Sequence, residues 1–170
     1  MEDEFNRAKA SNDILTALQK EEKRRERELA SALDDFDAYV KILSGVTGCG
    51  TRIGARLVVA IGDIRRFETK AKLKAFCGVH VLAGGRFPRR RSGEVANWHP
   101  DARQALYLLM EQWNRRPNSE WGLKLREYKV KLRAKHPEPE IMESGKKRYT
   151  DGHIHKMALW RTVTKFVEFL

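Results

Sequence analysis

The sequence has little of what several classes of protein require. Its two cysteines, Cys49 and Cys77, lack the spacing of a disulfide framework, which excludes the class of small disulfide-rich domains. No apolar run approaches the roughly 18 residues that a membrane span needs. The acidic first ten residues, MEDEFNRAKA, lack the apolar core of a signal peptide. These absences predict a cytoplasmic protein with no membrane partner.

Common catalytic patterns are missing as well. The sequence contains no phosphate-binding loop motif and no serine, histidine and aspartate pattern of a hydrolase. The acids Asp34, Asp35 and Asp37 are the densest outside the KEEKRRERE segment. Helical periodicity puts Asp34 and Asp35 on different sides, which is typical of a solvated face. Short-spaced cysteine and histidine pairs lack the matching second pair of a zinc site. We therefore predict no metal site and no cofactor in this chain.

Positive charge is abundant and unevenly placed. Across 170 residues, 34 Lys and Arg oppose 23 Asp and Glu, which gives a formal net charge of +11. Residues 1–50 carry a net charge of −3, whereas residues 51–170 carry +14. A strongly basic segment in which arginines cluster favours a polyanionic partner, most simply nucleic acid. The alternative is a basic protein without such a partner.

Residues 3–43 contain neither proline nor glycine, and they predict one long helix that ends at Gly45. Apolar residues recur there at gaps of three and four, the spacing of a coiled-coil seam. They are Ile14, Leu18, Leu29, Ala32, Phe36, Tyr39 and Leu43. Glu21 and Arg25 interrupt the seam. We interpret residues 1–43 as a coiled-coil-like arm that forms a helical hairpin or a homo-oligomer. The alternative is a solvated helix that lies along the rest of the domain.

Residues 44–170 predict a second unit, a compact basic helical domain, so the fold class is mainly α. Amphipathic spacing and capping residues predict helices over residues 51–62, 67–78, 100–113, 119–135 and 153–170. Residues 79–98 break this pattern with two turn signals, and they predict a short β-hairpin or an irregular basic loop. Residues 136–152 predict a polar, mobile linker.

A cluster of glycines surrounds the start of the helix predicted over residues 51–62. They are Gly45, Gly48, Gly50 and Gly54. A helix N-terminus presents unpaired backbone N–H groups that bind phosphate, especially where glycines allow close approach. The segment looks like the hairpin of helix-hairpin-helix DNA-binding modules. Its candidate DNA-binding residues are Gly48, Gly50, Thr51, Arg52 and Arg56. The alternative is a tight turn whose glycines allow close helix packing.

A second basic segment, GGRFPRRRSG, holds four arginines within six residues. They are Arg86, Arg89, Arg90 and Arg91. Arginine forks match phosphate oxygens and guanine edges, and Phe87 and Trp98 flank the cluster as stacking surfaces. We predict a nucleic-acid contact here; the alternative is a solvated charge run. The segment GKKRY, residues 145–149, is a candidate for a further contact.

In this order, the segments resemble the C-terminal part of the insertion-sequence transposases of the "one-ten / one-sixteen" family. The stretch LSGVTGCGTRIGARLVVAIGDIRRFETKAKLKAFCGV, residues 43–79, carries most of the resemblance. The segments RRRSG, ARQALY and HKMALWRTVTKFV support it, so the resemblance covers about residues 43–170. It implies a domain that binds duplex DNA and takes part in DNA transposition as a multimer. A structured guide RNA is a further candidate partner.

The resemblance also implies chemistry that is divided between two domains. One is an N-terminal ribonuclease-H-like domain with four metal-binding acids, and nothing before residue 43 resembles it. The other is a C-terminal domain with a nucleophilic serine, for which Ser92 is the candidate; nearby arginines would stabilise the attacked phosphate. Alternatively, Gly84-Gly85 occupies the Ser-Gly position of the family and the nucleophile is missing. Two other classes of function stay open: an active strand-transfer enzyme that borrows its metal domain from a second polypeptide, and a decayed or domesticated nucleic-acid-binding protein without catalytic activity.

Overall fold

The computed structural model describes residues 12–170, of which most are helical. The helices in this range are α1 (Asp13–Leu33), α2 (Asp37–Lys41), α3 (Thr51–Ile61), α4 (Lys70–Phe76), α5 (Pro100–Arg115), α6 (Glu120–Lys135) and α7 (Asp151–Phe169). Two short strands, β1 (Glu140–Ile141) and β2 (Lys147–Arg148), form an antiparallel pair. The predicted mainly helical fold class is confirmed. No helix within residues 12–170 has both the length and the apolar character that a membrane crossing demands.

Short polar side chains set the start of several helices. Thr69 accepts a hydrogen bond from the N–H of Lys72 at the start of α4. Ser119 accepts one from the N–H of Gly122 at the start of α6, at 3.2 Å. Such caps satisfy N–H groups that have no partner inside the helix. Helix α3 differs, because its N-cap is Gly50 and no side chain caps it.

The core is formed by the buried faces of α3, α5, α6 and α7. The apolar face predicted for α5 is buried, and Trp113 at its end has no exposed surface. The Trp113 ring meets Phe166 of α7 at 5.2 Å between centroids and Trp121 of α6 at 5.4 Å. Edge-to-face and offset aromatic pairs add to the free energy of burial. Three helices are thereby joined through one aromatic cluster.

The single helix that we predicted up to residue 43 is wrong, because α1 ends at Leu33 and α2 begins at Asp37. Between them, Phe36 takes an extended backbone conformation, with φ −106° and ψ 105°. Negative charge is unfavourable at the C-terminal end of a helix and favourable at its N-terminal end. Asp37, in the first turn of α2, therefore favours the start of that helix, whereas Asp34 and Asp35 lie at the unfavourable end of α1. The part of the prediction before residue 12 lies outside the described residues.

Helix α1 lies against α3. Leu33 is the buried residue of α1, and Arg52 of α3 reaches Glu22 of α1 at 2.6 Å. This arrangement matches the alternative of a helix lying along the domain. The seam residues Ile14 and Leu18 remain 74% and 62% exposed. Self-association through this seam stays a prediction, as does the division into two units at residue 43.

The structure has its β-hairpin in a different segment from the one in which a hairpin was predicted as an alternative. Residues 79–98 form an irregular loop with one short 3₁₀ turn (Ala83–Gly85), which decides between the two predicted alternatives. The polar linker predicted over residues 136–152 contains the β1–β2 hairpin instead. Gly145, at φ 74°, allows the turn there, and its N–H bonds to the carbonyl of Met142 at 2.8 Å. Only a residue tolerant of the left-handed region fits this turn.

Replacing Gly54 by alanine should destabilise the fold, because a Cβ at this position would lie 2.7 Å from Cδ2 of Tyr39. We expect a loss of about 1–3 kcal/mol in the free energy of unfolding, as for overpacked cores. Urea unfolding measures it. Gly45→Ala is the matched control, since a Cβ there meets nothing within 4 Å. Equal stability of the two variants would contradict the close contact of α2 with α3.

Candidate nucleic-acid interface

The loop before α3 packs tightly on α5. The indole N–H of Trp113 donates to the carbonyl of Thr47 at 3.1 Å, and the N–H of Cys49 closes a turn onto Val46 at 2.9 Å. Gly48 has φ 90°, and a Cβ there would lie 2.7 Å from Cβ of Gln112. Gly48 is therefore required by the backbone conformation and by packing, whatever else it does.

Gly50 has a different environment. It has ordinary backbone angles, φ −73° and ψ 175°, and a Cβ there would meet nothing within 4 Å. The first intrahelical bond of α3 comes from the N–H of Gly54, which leaves the N–H groups of residues 51–53 without a partner in the helix. A surface cavity of about 650 Å³ lies beside this helix end, with Gly48, Gly50 and Thr51 in its lining. This part of the loop is open to a ligand.

The two arginines of α3, Arg52 and Arg56, lie in different surroundings. Arg52 pairs with Glu22 at 2.6 Å and with Glu26 at 3.4 Å, and its hydrogen bond to Glu22 raises the pKa of the guanidinium. Glu26 also lines the cavity at the helix end. Arg56 is exposed and borders a separate groove beside His99. The five residues predicted for the hairpin thus surround two sites, and each site includes an acid, Glu26 in one and Asp101 in the other.

A larger cleft of about 1210 Å³ brings the two other basic segments together. We call it the basic cleft, and residues of the 80–98 loop, of the 142–148 hairpin and His153 line it. Its charged residues are Arg86, Arg89, Arg90, Arg91, Lys146, Lys147, Arg148 and Glu94. Seven cations therefore face one carboxylate. All four arginines predicted in GGRFPRRRSG lie in this lining, together with the cations of GKKRY.

Arg103 of α5 holds the loop side of the basic cleft. Its guanidinium lies between two indole rings, 4.3 Å from the centroid of Trp98 and 4.5 Å from that of Trp160. It donates to the carbonyl of Pro88 at 2.7 Å and to that of Gly78. Burial lowers the pKa of Arg103. Sequence reasoning missed this role, although ARQALY contributed to the family resemblance.

Tyr149 and two histidines, His136 and His153, pack together where the β1–β2 hairpin borders the basic cleft. The ring of Tyr149 stacks on His136, at 3.5 Å between centroids and 9° between planes. The backbone N–H of Tyr149 donates to Nδ1 of His153 at 3.0 Å, so Nδ1 of His153 carries no proton. Burial, followed by the charges of Arg148 and Arg89, lowers the pKa of His153. These two arginines come from different segments, so His153 marks the point where the segments meet.

Comparison with known proteins matches residues 40–122 to the family described as the transposase IS116/IS110/IS902 family. This segment of the chain belongs to that transposase family. No curated protein and no solved structure matches the chain. The family implies a role in transposition and an interaction with DNA. The matched segment includes the glycine loop (residues 45–50), the basic loop (residues 80–98) and Arg103. It ends before the β1–β2 hairpin.

The candidate nucleophile of the transposase segment, Ser92, lies in an exposed turn with Gly93. Arg91 and Glu94, on either side of this turn, line the basic cleft. In the described structure, the side chain of Ser92 does not belong to the cleft lining. Within residues 12–170 its hydroxyl makes no side-chain hydrogen bond that would activate it. Gly84, which belongs to the other candidate for the Ser-Gly position, does line the cleft.

Thiol and metal chemistry find no support in the described part of the chain. Cys49 and Cys77 are buried, and burial raises the pKa of Cys49 to about 11 and that of Cys77 to about 12. Such thiols stay protonated and are poor nucleophiles near neutral pH. Within residues 12–170, no three His, Cys, Asp or Glu side chains are grouped as metal ligands would be.

Replacing Arg103 by lysine should release the basic loop. Lysine lacks the planar fork that serves two carbonyls while it stacks on two rings, so we expect faster trypsin cleavage after Arg89, Arg90 and Arg91. Limited proteolysis followed by mass spectrometry measures the rate at each site. Arg126→Lys, an exposed arginine of α6, is the control. Unchanged cleavage rates in Arg103→Lys would show that other contacts hold the loop.

Proposed function

We propose that the chain is the DNA-binding C-terminal domain of a transposase and takes part in DNA transposition. In this proposal the nuclease-like chemistry belongs to a separate domain or polypeptide. The observation that carries the proposal is the basic cleft, because two basic segments that are distant in the sequence converge there with one acid among their cations. Such a concentration of charge attracts a polyanion and releases its counterions.

The side chains of the cleft support binding to phosphate. Arg86, Arg89 and Arg90 form no ion pair with any described acid, and Arg91 lies 3.6 Å from Glu94. Unpaired guanidinium groups keep their donors available for phosphate oxygens. The contacts of Arg103 with the loop hold these groups in place before any ligand arrives.

The glycine loop before α3 adds a second, weaker contact in this proposal. Its open position is Gly50, beside the free N–H groups of residues 51–53, and it would hold a backbone phosphate as a helix-hairpin-helix module does. Arg52 contributes only when the phosphate displaces Glu22 and Glu26. A structured guide RNA and a homo-oligomer through α1 complete the proposal.

A second candidate function is nucleic-acid binding without chemistry, in a decayed or domesticated protein. The position of Ser92 in an exposed turn, beside the cleft lining and not within it, favours this candidate. Ser92→Ala separates the two in a recombination assay with the complementing nuclease domain. In a strand-transfer enzyme the substitution abolishes joining and leaves DNA binding intact.

Removing three cleft arginines should lower the salt dependence of DNA binding. We expect Arg89→Ala, Arg90→Ala and Arg91→Ala together to weaken binding to random duplex DNA. The slope of log K against log salt should fall by about 0.9 for each phosphate that the variant no longer neutralises. Fluorescence anisotropy across a salt series gives both quantities.

A control with the same change in net charge replaces Lys20, Lys23 and Arg27 by alanine. These residues are exposed on α1 and lie outside the cleft. The proposal requires the cleft variant to lose more affinity and more slope than the α1 variant. Equal losses would mean that net charge, and no particular surface, attracts the DNA. Absence of binding at low salt would overturn the proposed function altogether.

A further inference from the structure

We infer that the basic cleft takes an unpaired nucleic-acid strand in preference to a duplex. The inference deepens the proposed function and rests on it. Elements that bind duplex DNA through its grooves are convex, such as a helix or a β-ribbon that enters the major groove. The basic cleft is concave, and its cations are placed around a depression of about 1210 Å³. Single strands bind in basic grooves with aromatic side chains along them.

The cleft contains aromatic rings among its cations. Trp98 is half-buried, and of the four tryptophans it is the one that lines the cleft. Phe87 lines it as well and stacks on Trp160 behind it, at 6.0 Å between centroids and 30° between planes. Every base has a flat face that stacks on such rings, but in a duplex those faces are covered by the neighbouring base pairs. Only an unpaired strand offers them to Trp98.

The rings are fixed before a ligand binds. The guanidinium of Arg103 lies against Trp98, and a Cβ at Gly78 would come within 2.9 Å of Cβ of Trp98, so this side chain packs closely at its root. A fixed aromatic surface loses little conformational entropy when a base stacks on it. The cleft therefore combines a fixed stacking surface with cations for the backbone.

The volume suits a short length of strand. Sites for small organic molecules are roughly 300–1,000 Å³, so about 1210 Å³ accommodates a few nucleotides. Cations of the basic loop and of the β1–β2 hairpin both lie near His153, as the effect of Arg89 and Arg148 on its pKa indicates. A strand in the cleft has cations from both segments within reach of successive phosphates.

The test compares affinities by fluorescence anisotropy at one salt concentration. The probes are a labelled 12-nucleotide deoxythymidine strand, the same strand as a duplex with deoxyadenosine, and a ribouridine strand. We expect the deoxythymidine strand to bind more tightly than the duplex. Tighter binding of the ribouridine strand than of the duplex also supports an unpaired strand, and the ratio of the two single strands identifies the preferred sugar.

Substitution of Trp98 tests the stacking surface. We expect Trp98→Leu to weaken single-strand binding by about 5- to 150-fold, which corresponds to the loss of one base stacked on an aromatic ring. Trp98→Phe, which keeps a flat ring, should retain most of the affinity. Tyr107→Leu is the control, because this aromatic residue is 44% exposed on α5 outside the cleft.

A fluorescence measurement on the unsubstituted protein and on Trp98→Phe covers the case in which Trp98→Leu fails to fold. Binding of the strand should quench tryptophan fluorescence, and the quenching should be absent in Trp98→Phe. Tighter binding of the duplex, with no quenching from Trp98, would overturn the inference and leave the proposed function standing. Absence of binding by strand and duplex alike at low salt would remove both.

Discussion

The basic cleft depends on one half-buried cation, the guanidinium of Arg103. The loop over residues 79–98 is irregular, so its carbonyls find few partners in secondary structure. Arg103 satisfies the loop carbonyl of Pro88 and that of Gly78 directly before the loop, while its guanidinium lies over the rings of Trp98 and Trp160. Desolvation opposes this burial, as the lowered pKa of Arg103 indicates, and two hydrogen bonds and two stacked rings offset it. The surface cations are therefore held by a cation that no ligand needs to touch.

The glycine loop separates packing from binding within a few residues. Gln112 fills the space beside Gly48, and Tyr39 fills the space beside Gly54. A larger residue at either position would therefore disturb the fold. Gly50 has no neighbour within reach of a Cβ. Both interpretations of the cluster, as close packing and as an anion site, are thus compatible with the structure, each at different glycines. The sequence alone cannot assign either interpretation to a particular glycine, because Gln112 is distant in the chain and no local pattern indicates its contact with Gly48.

Local signals predicted the parts of the fold that local forces determine. The periodic apolar face of α5 and the cap at Thr69 are each determined within a turn or two of sequence. Parts that depend on distant partners were not accessible in this way. The meeting of the two basic segments depends on tertiary contacts such as that of Thr164 of α7, whose hydroxyl donates to the carbonyl of Val79 at 2.6 Å and so holds the start of the 79–98 loop. For the same reason the candidate arginines could be named, whereas the cleft that joins them to residues 146–148 could not.

Two acids of α1 change the charge at the start of α3. Helix α1 lies against α3, and its carboxylates Glu22 and Glu26 pair with Arg52 beside the open glycine. An anion that approaches this helix end meets a cation already neutralised and two negative charges close to it, whereas at the basic cleft seven cations act together against Glu94. In the proposed function, the fields of the neighbouring cleft cations add, so the cleft would attract a polyanion first and the helix end would bind only once the strand is held. On that proposal, the order of the two contacts follows from the pairing of Arg52 with α1, and a movement of α1 away from α3 would strengthen the second contact without any change at the first.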